Sequence, residues 1–193
     1  MKFILATKNK GKIREFQECL NIPGLELLSL DDIGFNQEII EDGKTFEENS
    51  IIKAQTVYNQ FHIPVIADDS GLVIPALDGA PGIYSARYKG LDQARARRKE
   101  VLKDMEGKTD RQAYFYCSLV MIDDSGIHQF NGQIDGMIGD KEKGTNGFGY
   151  DPIFYIDKET SLAMISDEEK NRISHRGKAT EKLKEYLHGI DNK

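Results

Sequence analysis

The spacing of apolar side chains predicts helices and strands that alternate along most of the chain. Ile13, Phe16 and Leu20 recur every three or four residues, which is typical of one face of an amphipathic helix. Unbroken or alternating apolar runs predict strands instead. The expected order is a strand at 1–6, a helix after 7–12, a strand at 26–30, a helix at 45–59, extended segments at 64–67 and 72–74, a helix at 91–105, strands at 112–122 and 127–138, an extended segment at 152–156, a short helix beginning at 166 and a helix at 176–187.

Polar residues mark the points where several of these elements begin. Thr45 followed by Glu48 predicts a capping box, and Ser166 followed by Glu169 marks the start of the short helix. Residues 123–126, Asp-Asp-Ser-Gly, predict a hairpin turn between two long strands. Helices and strands that follow one another, together with a long antiparallel hairpin, predict an α/β or α+β class with a mixed sheet. We expect one domain spanning 1–193, without a linker.

Charge and cysteine content exclude several classes of protein. The 26 Lys+Arg against 32 Asp+Glu give a net charge of −6, which disfavours duplex binding because phosphate neutralisation needs a basic face. The apolar run at 3–6 is too short for a signal peptide or a membrane span. Cys19 and Cys117 form no CxxC motif, as expected in a reducing compartment. We therefore expect a cytoplasmic protein that binds neither nucleic acid nor membrane.

The segment Thr7-Lys8-Asn9-Lys10-Gly11-Lys12, between the first strand and the first helix, is one candidate for chemistry. A helix N-terminus attracts phosphate, three lysines add positive charge, and the glycine lets the backbone approach a ligand closely. The Walker A pattern is absent. The alternative is a solvated, lysine-rich turn.

Asp68-Asp69-Ser70-Gly71, directly after an apolar strand, is a second candidate. Two adjacent carboxylates at a strand end suit Mg²⁺, a hard ion that prefers oxygen ligands. A turn capped by Asp and Ser is the alternative. Glu41 and Asp42 could supply another oxygen ligand, or they form a solvated acidic loop. Lys53, beside the apolar stripe of a helix, either extends to water or points at an anion.

Two later segments carry aromatic and hydrogen-bonding groups. In 146–152 the glycines expose Phe148, whose ring could stack on a base while Asp151 accepts hydrogen bonds from it. The alternative is a glycine-rich turn with its aromatic rings in the core. Residues 174–178, with Lys170 upstream, gather donors for a carbonyl or phosphate oxygen, or else form a serine cap followed by exposed basic residues.

Taken together, these segments resemble the inosine triphosphate pyrophosphatase family. The matching segments occur in family order at 6–12, 45–49, 67–72, 79–88, 147–152, 169–171 and 174–177. Each is a weak motif alone, but all of them in this order are specific. The resemblance implies a two-lobed mixed α/β fold with a central cleft, in a homodimer. Residues 95–99 are more basic than the family pattern leads us to expect.

The resemblance also implies an activity and its residues. The family hydrolyses ITP, dITP and XTP to the monophosphate and pyrophosphate with Mg²⁺, which removes deaminated purines from the nucleotide pool. Glu41 and Asp69 would hold the metal, and Asp69 would also deprotonate the attacking water. The substrate-binding set would be Thr7, Lys8, Asn9, Lys10, Gly11, Lys12 and Lys53 at the triphosphate, Ser70, and Phe148, Gly149, Tyr150, Asp151, Lys170, His175 and Arg176 at the base.

Two other functions are compatible with the same residues. A phosphatase or a diphosphatase with another nucleotide preference would use the same phosphate loop and metal. A nucleotide-sensing module would bind without turnover. The intact carboxylate pair favours an enzyme over a sensor, and donors from His175 and Arg176 would favour 6-keto bases over adenine.

Overall fold

The computed structural model describes residues 1–191, and over that range the chain forms six strands and five α-helices. Short 3₁₀ turns connect some of them, at 75–77, 82–90, 151–153 and 162–164. The elements are β1 (Lys2–Leu5), α1 (Lys10–Cys19), β2 (Glu26–Leu28), α2 (Phe46–Phe61), β3 (Val65–Val73), α3 (Ala94–Asp104), β4 (Gln112–Asp123), β5 (Gly126–Ile138), β6 (Phe154–Tyr155), α4 (Asp167–Ile173) and α5 (His175–Asp191).

The strands form one sheet in the order β2-β1-β3-β4-β5-β6. β1 pairs in parallel with β2 and with β3, whereas β5 and β6 are antiparallel. The sheet is therefore mixed, and the predicted mixed α/β class is confirmed. The predicted hairpin is also present, since only Asp124 and Ser125 separate β4 from β5.

β3 is longer than the sequence pattern predicts. Its nine residues, Val65–Val73, run straight through the Asp68-Asp69-Ser70-Gly71 segment. The prediction that the two aspartates lie at a strand end, and the alternative of a capped turn, are both wrong. Polar residues disfavour a buried strand when they are read alone, but here the ladder continues and buried cations compensate for the two carboxylates.

At the start of α2, only one of the two hydrogen bonds of the predicted capping box forms as expected. Thr45 is the N-cap, and its side chain accepts a hydrogen bond from the Glu48 backbone N–H at 3.1 Å. The Glu48 carboxylate reaches past Thr45 and accepts from the Lys44 N–H at 2.5 Å. The reciprocal arm of the capping box therefore closes one residue earlier than expected.

Several predicted boundaries move by a few residues. The helix expected at 91–105 begins at Ala94, and Gln93 is its N-cap. The segment expected to be extended from Pro152 is a 3₁₀ turn over Asp151–Ile153, followed by the two residues of β6. Proline at an early helical position fixes φ near the helical value, which favours the turn.

The chain divides into two compact units. Of the described residues, the first unit comprises 1–69, 117–132 and 176–191; the second comprises 70–116 and 133–175. In the first unit, one apolar cluster joins the strands to α1 and α5, and another joins them to α2. In the second unit, a single cluster gathers side chains of α3, the adjoining strand segments and Leu162.

A membrane span requires a helix that is both long and apolar. None of the helices within residues 1–191 meets that requirement.

Candidate active site

The two adjacent aspartates of β3 face opposite sides of the sheet in the first unit, because side chains alternate along a strand. Asp68 shares its face with Ile66, which belongs to the cluster against α1 and α5. Asp69 shares its face with Ala67, which belongs to the cluster against α2. Both carboxylates are buried and feel the charges of Lys12 and Lys53, but Asp68 also lies beside Arg176.

Asp68 is held by cations from two helices. Its Oδ2 atom lies 3.1 Å from the Lys12 Nζ of α1 and 3.5 Å from the Arg176 Nη2 of α5. The Cys117 thiol of β4 donates to the same oxygen at 3.9 Å. Burial alone would raise the pKa of Asp68, but the charges of Lys12, Arg176 and Lys53 outweigh burial and hold the pKa well below its usual value. Asp68 is therefore a fixed negative charge.

Arg176 joins this cluster through a second carboxylate. Its Nη1 atom donates to Glu15 on α1, and both side chains are buried. Burial would lower the pKa of Arg176, but Glu15 and Asp68 raise it, so the guanidinium stays charged. The sequence predicts Arg176 at a base. In the first unit its guanidinium pairs with two carboxylates, and a role at the base stays a prediction.

Asp69 has a different environment on the α2 side. Burial is the largest influence on this carboxyl and raises its pKa to about 6, while the charges of Lys53 and Lys12 act in the opposite direction. Lys53 of α2 lies 3.1 Å from the Glu41 Oε1 atom. Burial alone would lower the pKa of Lys53. The negative charges of Asp68, Glu41 and Asp69 outweigh burial and raise that pKa. Asp69 is therefore the more basic member of the aspartate pair.

The segment 7–12 has one buried lysine and two exposed ones. Lys8 and Lys10 are exposed, as the solvated-turn alternative expects, whereas Lys12 is part of the Asp68 cluster. Asn9 caps α1 by accepting from the Lys12 backbone N–H at 3.1 Å. The first turn of α1 contains no acidic side chain, so the positive end of the helix is not neutralised there.

The donor set around Asp69 fits a hard divalent cation. Its Oδ2 atom is buried and has no hydrogen-bond partner, and an ionised oxygen in that state needs a positive charge. Within residues 1–191 no group of three or more His, Cys, Asp or Glu side chains is arranged to hold a metal. Mg²⁺ is commonly bound by only one or two carboxylates, with water and substrate phosphate completing its shell. Glu41 and Asp69 match that pattern.

The second unit contains a separate cluster built on the 146–152 segment. The Asp151 Oδ2 atom lies 2.6 Å from the Lys170 Nζ of α4 and accepts from the Phe148 backbone N–H at 3.0 Å. The Lys170 ammonium lies 4.8 Å from the centre of the half-buried Phe148 ring. A Cβ at Gly147 would collide with the same Asp151 oxygen, so the backbone there must be glycine. This loop therefore holds one aromatic face beside an ammonium group.

The other predicted base residues differ in their roles. Tyr150 belongs to the core of the second unit and donates to the Ser85 carbonyl at 2.6 Å, as the core alternative for this segment expects. His175 is buried, and its ring stacks on Phe115 at 4.8 Å between centroids. Ser174 directly precedes α5, as the serine-cap alternative expects. The exposed basic residues of that alternative are wrong for His175 and Arg176, which are buried, whereas Lys178 is exposed. Ser70 is half-buried in β3, in the second unit.

Sequence reasoning missed four residues of these clusters. Glu15 lies three residues after Lys12 and therefore on the same side of α1, which is the signal that could have identified it. Cys117 and Phe115 lie in an apolar strand, where nothing in the sequence separates them from ordinary core residues. Arg98 was part of a basic stretch without a role, yet its guanidinium donates to the Gly149 carbonyl at 2.9 Å.

Known proteins resemble this chain over nearly its whole length. The dITP/XTP pyrophosphatase of Bacillus licheniformis is 48% identical over 189 residues, covering 95% of this chain and 96% of the relative. The dITP/XTP pyrophosphatase of Geobacter sulfurreducens is 43% identical over 191 residues, covering 96% of each. Among solved structures, the Staphylococcus aureus Ham1 protein superimposes with a TM-score of 0.89 at 38% identity, covering 98% of this chain and 100% of that one.

A family model gives the same result. The model of the Ham1 family matches residues 3–186. This match and the full-length relatives confirm the resemblance predicted from the sequence. The chain belongs to the Ham1 family.

Proposed function

We propose that this chain hydrolyses dITP, ITP and XTP to the nucleoside monophosphate and pyrophosphate, with Asp69 as the general base and Mg²⁺ as the cofactor. The chain is a nucleoside triphosphate pyrophosphatase of its family, as its relatives named dITP/XTP pyrophosphatase support. The residue roles that follow are supported by the surroundings of each side chain. One observation carries the proposal: a buried carboxylate oxygen of Asp69 has no hydrogen-bond partner, and this carboxyl lies close enough to Lys53 and Glu41 to be influenced by their charges.

Asp69 accepts a proton from the attacking water. A base that is ionised near neutral pH, and still basic enough to take a proton, suits this role. Water attacks the α-phosphorus, the α–β phosphoanhydride bond breaks, and pyrophosphate leaves with the bonding electron pair. The neighbouring Asp68 is a poor base because its cations hold it ionised, so it acts by keeping Lys12 in place.

Lys12 and Lys53 bind the triphosphate. Each ammonium is already positioned by a carboxylate, Lys12 by Asp68 and Lys53 by Glu41. Prepositioned cations stabilise the charge that develops on phosphate without a reorganisation cost. The unneutralised N-terminus of α1, with Thr7, Lys8, Asn9, Lys10 and Gly11, adds to the same field.

Glu41 and Asp69 would hold Mg²⁺, which when bound offsets negative charge on the phosphate oxygens. The remaining coordination positions are left to water and to the phosphates. Removing divalent cations is therefore expected to abolish turnover reversibly.

The second unit recognises the base. The Phe148 ring stacks on the purine beside the Lys170 ammonium. His175, which the family resemblance assigns to the base, provides a further donor. A 6-keto oxygen accepts such hydrogen bonds, whereas the 6-amino group of adenine leaves buried donors unpaired. Deaminated purines are therefore preferred over adenine.

The test uses the purified chain with Mg²⁺ and, separately, dITP, XTP, GTP and ATP in ¹⁸O-labelled water. We expect pyrophosphate and monophosphate from dITP and XTP, with ¹⁸O in the monophosphate because the α-phosphorus is attacked. Label in pyrophosphate would place the attack at the β-phosphorus. Release of orthophosphate would replace the pyrophosphatase with a phosphatase, and binding without turnover would indicate a sensor.

The cellular location and the oligomeric state of the protein are also proposals. We infer a cytoplasmic location, which both cysteines, free in the structure, are compatible with. We also infer a homodimer, for which sedimentation at several protein concentrations is the direct measurement. Neither bears on the residue roles above.

A further inference from the structure

The basic stretch 95–99 of α3 has no part in the chemistry proposed above. Its side chains differ in exposure: Arg95 and Lys99 are exposed, whereas Arg97 and Arg98 are partly buried in the second unit. A long cationic side chain that is drawn inward gives up hydration and rotamer freedom, so it must gain specific contacts. The partners of Arg98 therefore indicate what the stretch does.

Arg98 contacts the base-recognition loop, residues 142–151, at two points. Its Nη1 atom donates to the Gly149 carbonyl at 2.9 Å, and its Nε atom donates to the Glu142 carboxylate. The planar guanidinium fixes the direction of both bonds, which an ammonium could not do. Its neighbour Arg97 donates to the Leu91 carbonyl at 3.0 Å and forms a side-chain hydrogen bond with Tyr150. Adjacent arginines of one helix thus contact adjacent residues of the loop.

This loop needs an external contact because of its own backbone. Gly147 and Gly149, on either side of Phe148, have φ values of +73° and +61°. Glycines allow these left-handed conformations but also many others, so they leave the loop free to change shape. On one side the Asp151 carboxylate holds the Phe148 N–H. On the other side Arg98 holds the Gly149 carbonyl.

We propose that Arg98 is a positioning residue for base recognition: by holding the Gly149 carbonyl and Glu142, it fixes the orientation in which the loop presents Phe148. This rests on the proposed function, in which Phe148 stacks on the purine. Arg98 itself does not touch the substrate. Its loss therefore weakens binding of the base and leaves the phosphate chemistry intact.

The test compares Arg98→Ala and Arg98→Lys with Arg95→Ala, which removes the same charge from an exposed position one turn earlier on α3. For Arg98→Ala we expect a KM for dITP about tenfold higher, the size of effect typical of a lost charge-assisted hydrogen bond. Arg98→Lys falls between it and wild type, and kcat changes by less than about twofold in each. Inorganic tripolyphosphate, which has no base, inhibits all four proteins equally.

A second measurement does not depend on turnover. In Arg98→Ala, amide hydrogen exchange across 144–151 is faster than in wild type, while Arg95→Ala leaves it unchanged. Equal exchange and an unchanged KM in both Arg98 variants would overturn the proposal. So would a parallel loss of tripolyphosphate affinity, since the change would then affect more than the base. If wild type fails to hydrolyse dITP while the exchange difference persists, the proposed function fails and the role of Arg98 in fixing the loop stands.

Discussion

Each unit contains a buried carboxylate–ammonium pair, and the two pairs have different surroundings. In the first unit, Asp68 and Lys12 are 3.1 Å apart, and buried oxygens of Asp68 and Asp69 remain without a hydrogen-bond partner. In the second, Asp151 and Lys170 are 2.6 Å apart, and the same carboxylate oxygen also accepts the Phe148 N–H. The first arrangement keeps charge available for a ligand. The second uses charge to hold a loop in shape.

The two arrangements should therefore control different kinetic constants. Charge that is available to a ligand acts on the reacting phosphate and should appear in kcat. Charge used to hold a shape acts on binding of the base and should appear in KM. Substitutions in the first unit should therefore change mainly kcat, and substitutions in the second unit should change mainly KM.

The largest effect is expected for Asp69→Asn. The amide keeps the shape of the side chain but cannot accept the proton of the attacking water. Removing a general base lowers rates about 10²- to 10⁴-fold, so we expect kcat for dITP to fall by about 10³. Initial-rate measurement of pyrophosphate release checks this. A variant that keeps the wild-type kcat would contradict the assignment of Asp69.

Asp68→Asn tests the other carboxylate through stability. It leaves Lys12 and Arg176 buried without their shared counter-charge, which typically costs about 3–5 kcal/mol in the free energy of unfolding. Because the folded pKa of Asp68 is lowered, its stabilising effect is present above about pH 4 and is lost at lower pH. Urea unfolding of wild type and variant at pH 7 and pH 3 measures the loss of stability and its dependence on pH. An equal difference at the two pH values would argue against this role.

Asp69→Asn should stabilise the metal-free protein, whereas Asp68→Asn destabilises the protein. Burial raises the pKa of Asp69 from 3.8 to about 6, so the ionised carboxylate destabilises the metal-free fold. At about 1.4 kcal/mol for each pKa unit, the cost is roughly 3 kcal/mol above pH 6 and vanishes below pH 4. In EDTA at pH 7.5 the variant should therefore melt at a higher temperature than wild type. At pH 4 the two melting temperatures should coincide.

The smallest effect is expected for Phe148→Leu in the second unit. Stacking of a base on an aromatic ring contributes about 1–3 kcal/mol, so loss of the ring should raise KM for dITP about tenfold. Phe148→Tyr keeps the ring and is the matched control. Inhibition by tripolyphosphate should be the same in both variants. A fall in kcat without a change in KM would remove the distinction between the units.

Much of the fold follows from local patterns in the sequence. The face of α5 built on Ala179, Leu183 and Leu187 is buried as its spacing predicts. Thr45 caps α2 because a side-chain oxygen at that point satisfies a free N–H, a local effect that needs no tertiary context. Such features depend on residues three or four apart, so the sequence alone carries them.

The site was less predictable because it depends on long-range contacts. The chemical type of Asp69, Lys53 and Lys12 pointed to phosphate and metal, but not to the different surroundings of the two aspartates. That difference follows from a continuous β3, which the polar residues Asp68 and Asp69 concealed. Arg98 contacts Gly149, 51 residues away, and no local pattern records such a contact.

The alternation along β3 also restricts how the length of this chain can change during evolution. Inserting or deleting one residue between Val65 and Asp68 would exchange the faces on which the two carboxylates lie. The carboxylate now on the α2 side would then lie on the face of the α1 and α5 cations, and would lose its basicity. Viable length changes in this stretch should therefore come in twos.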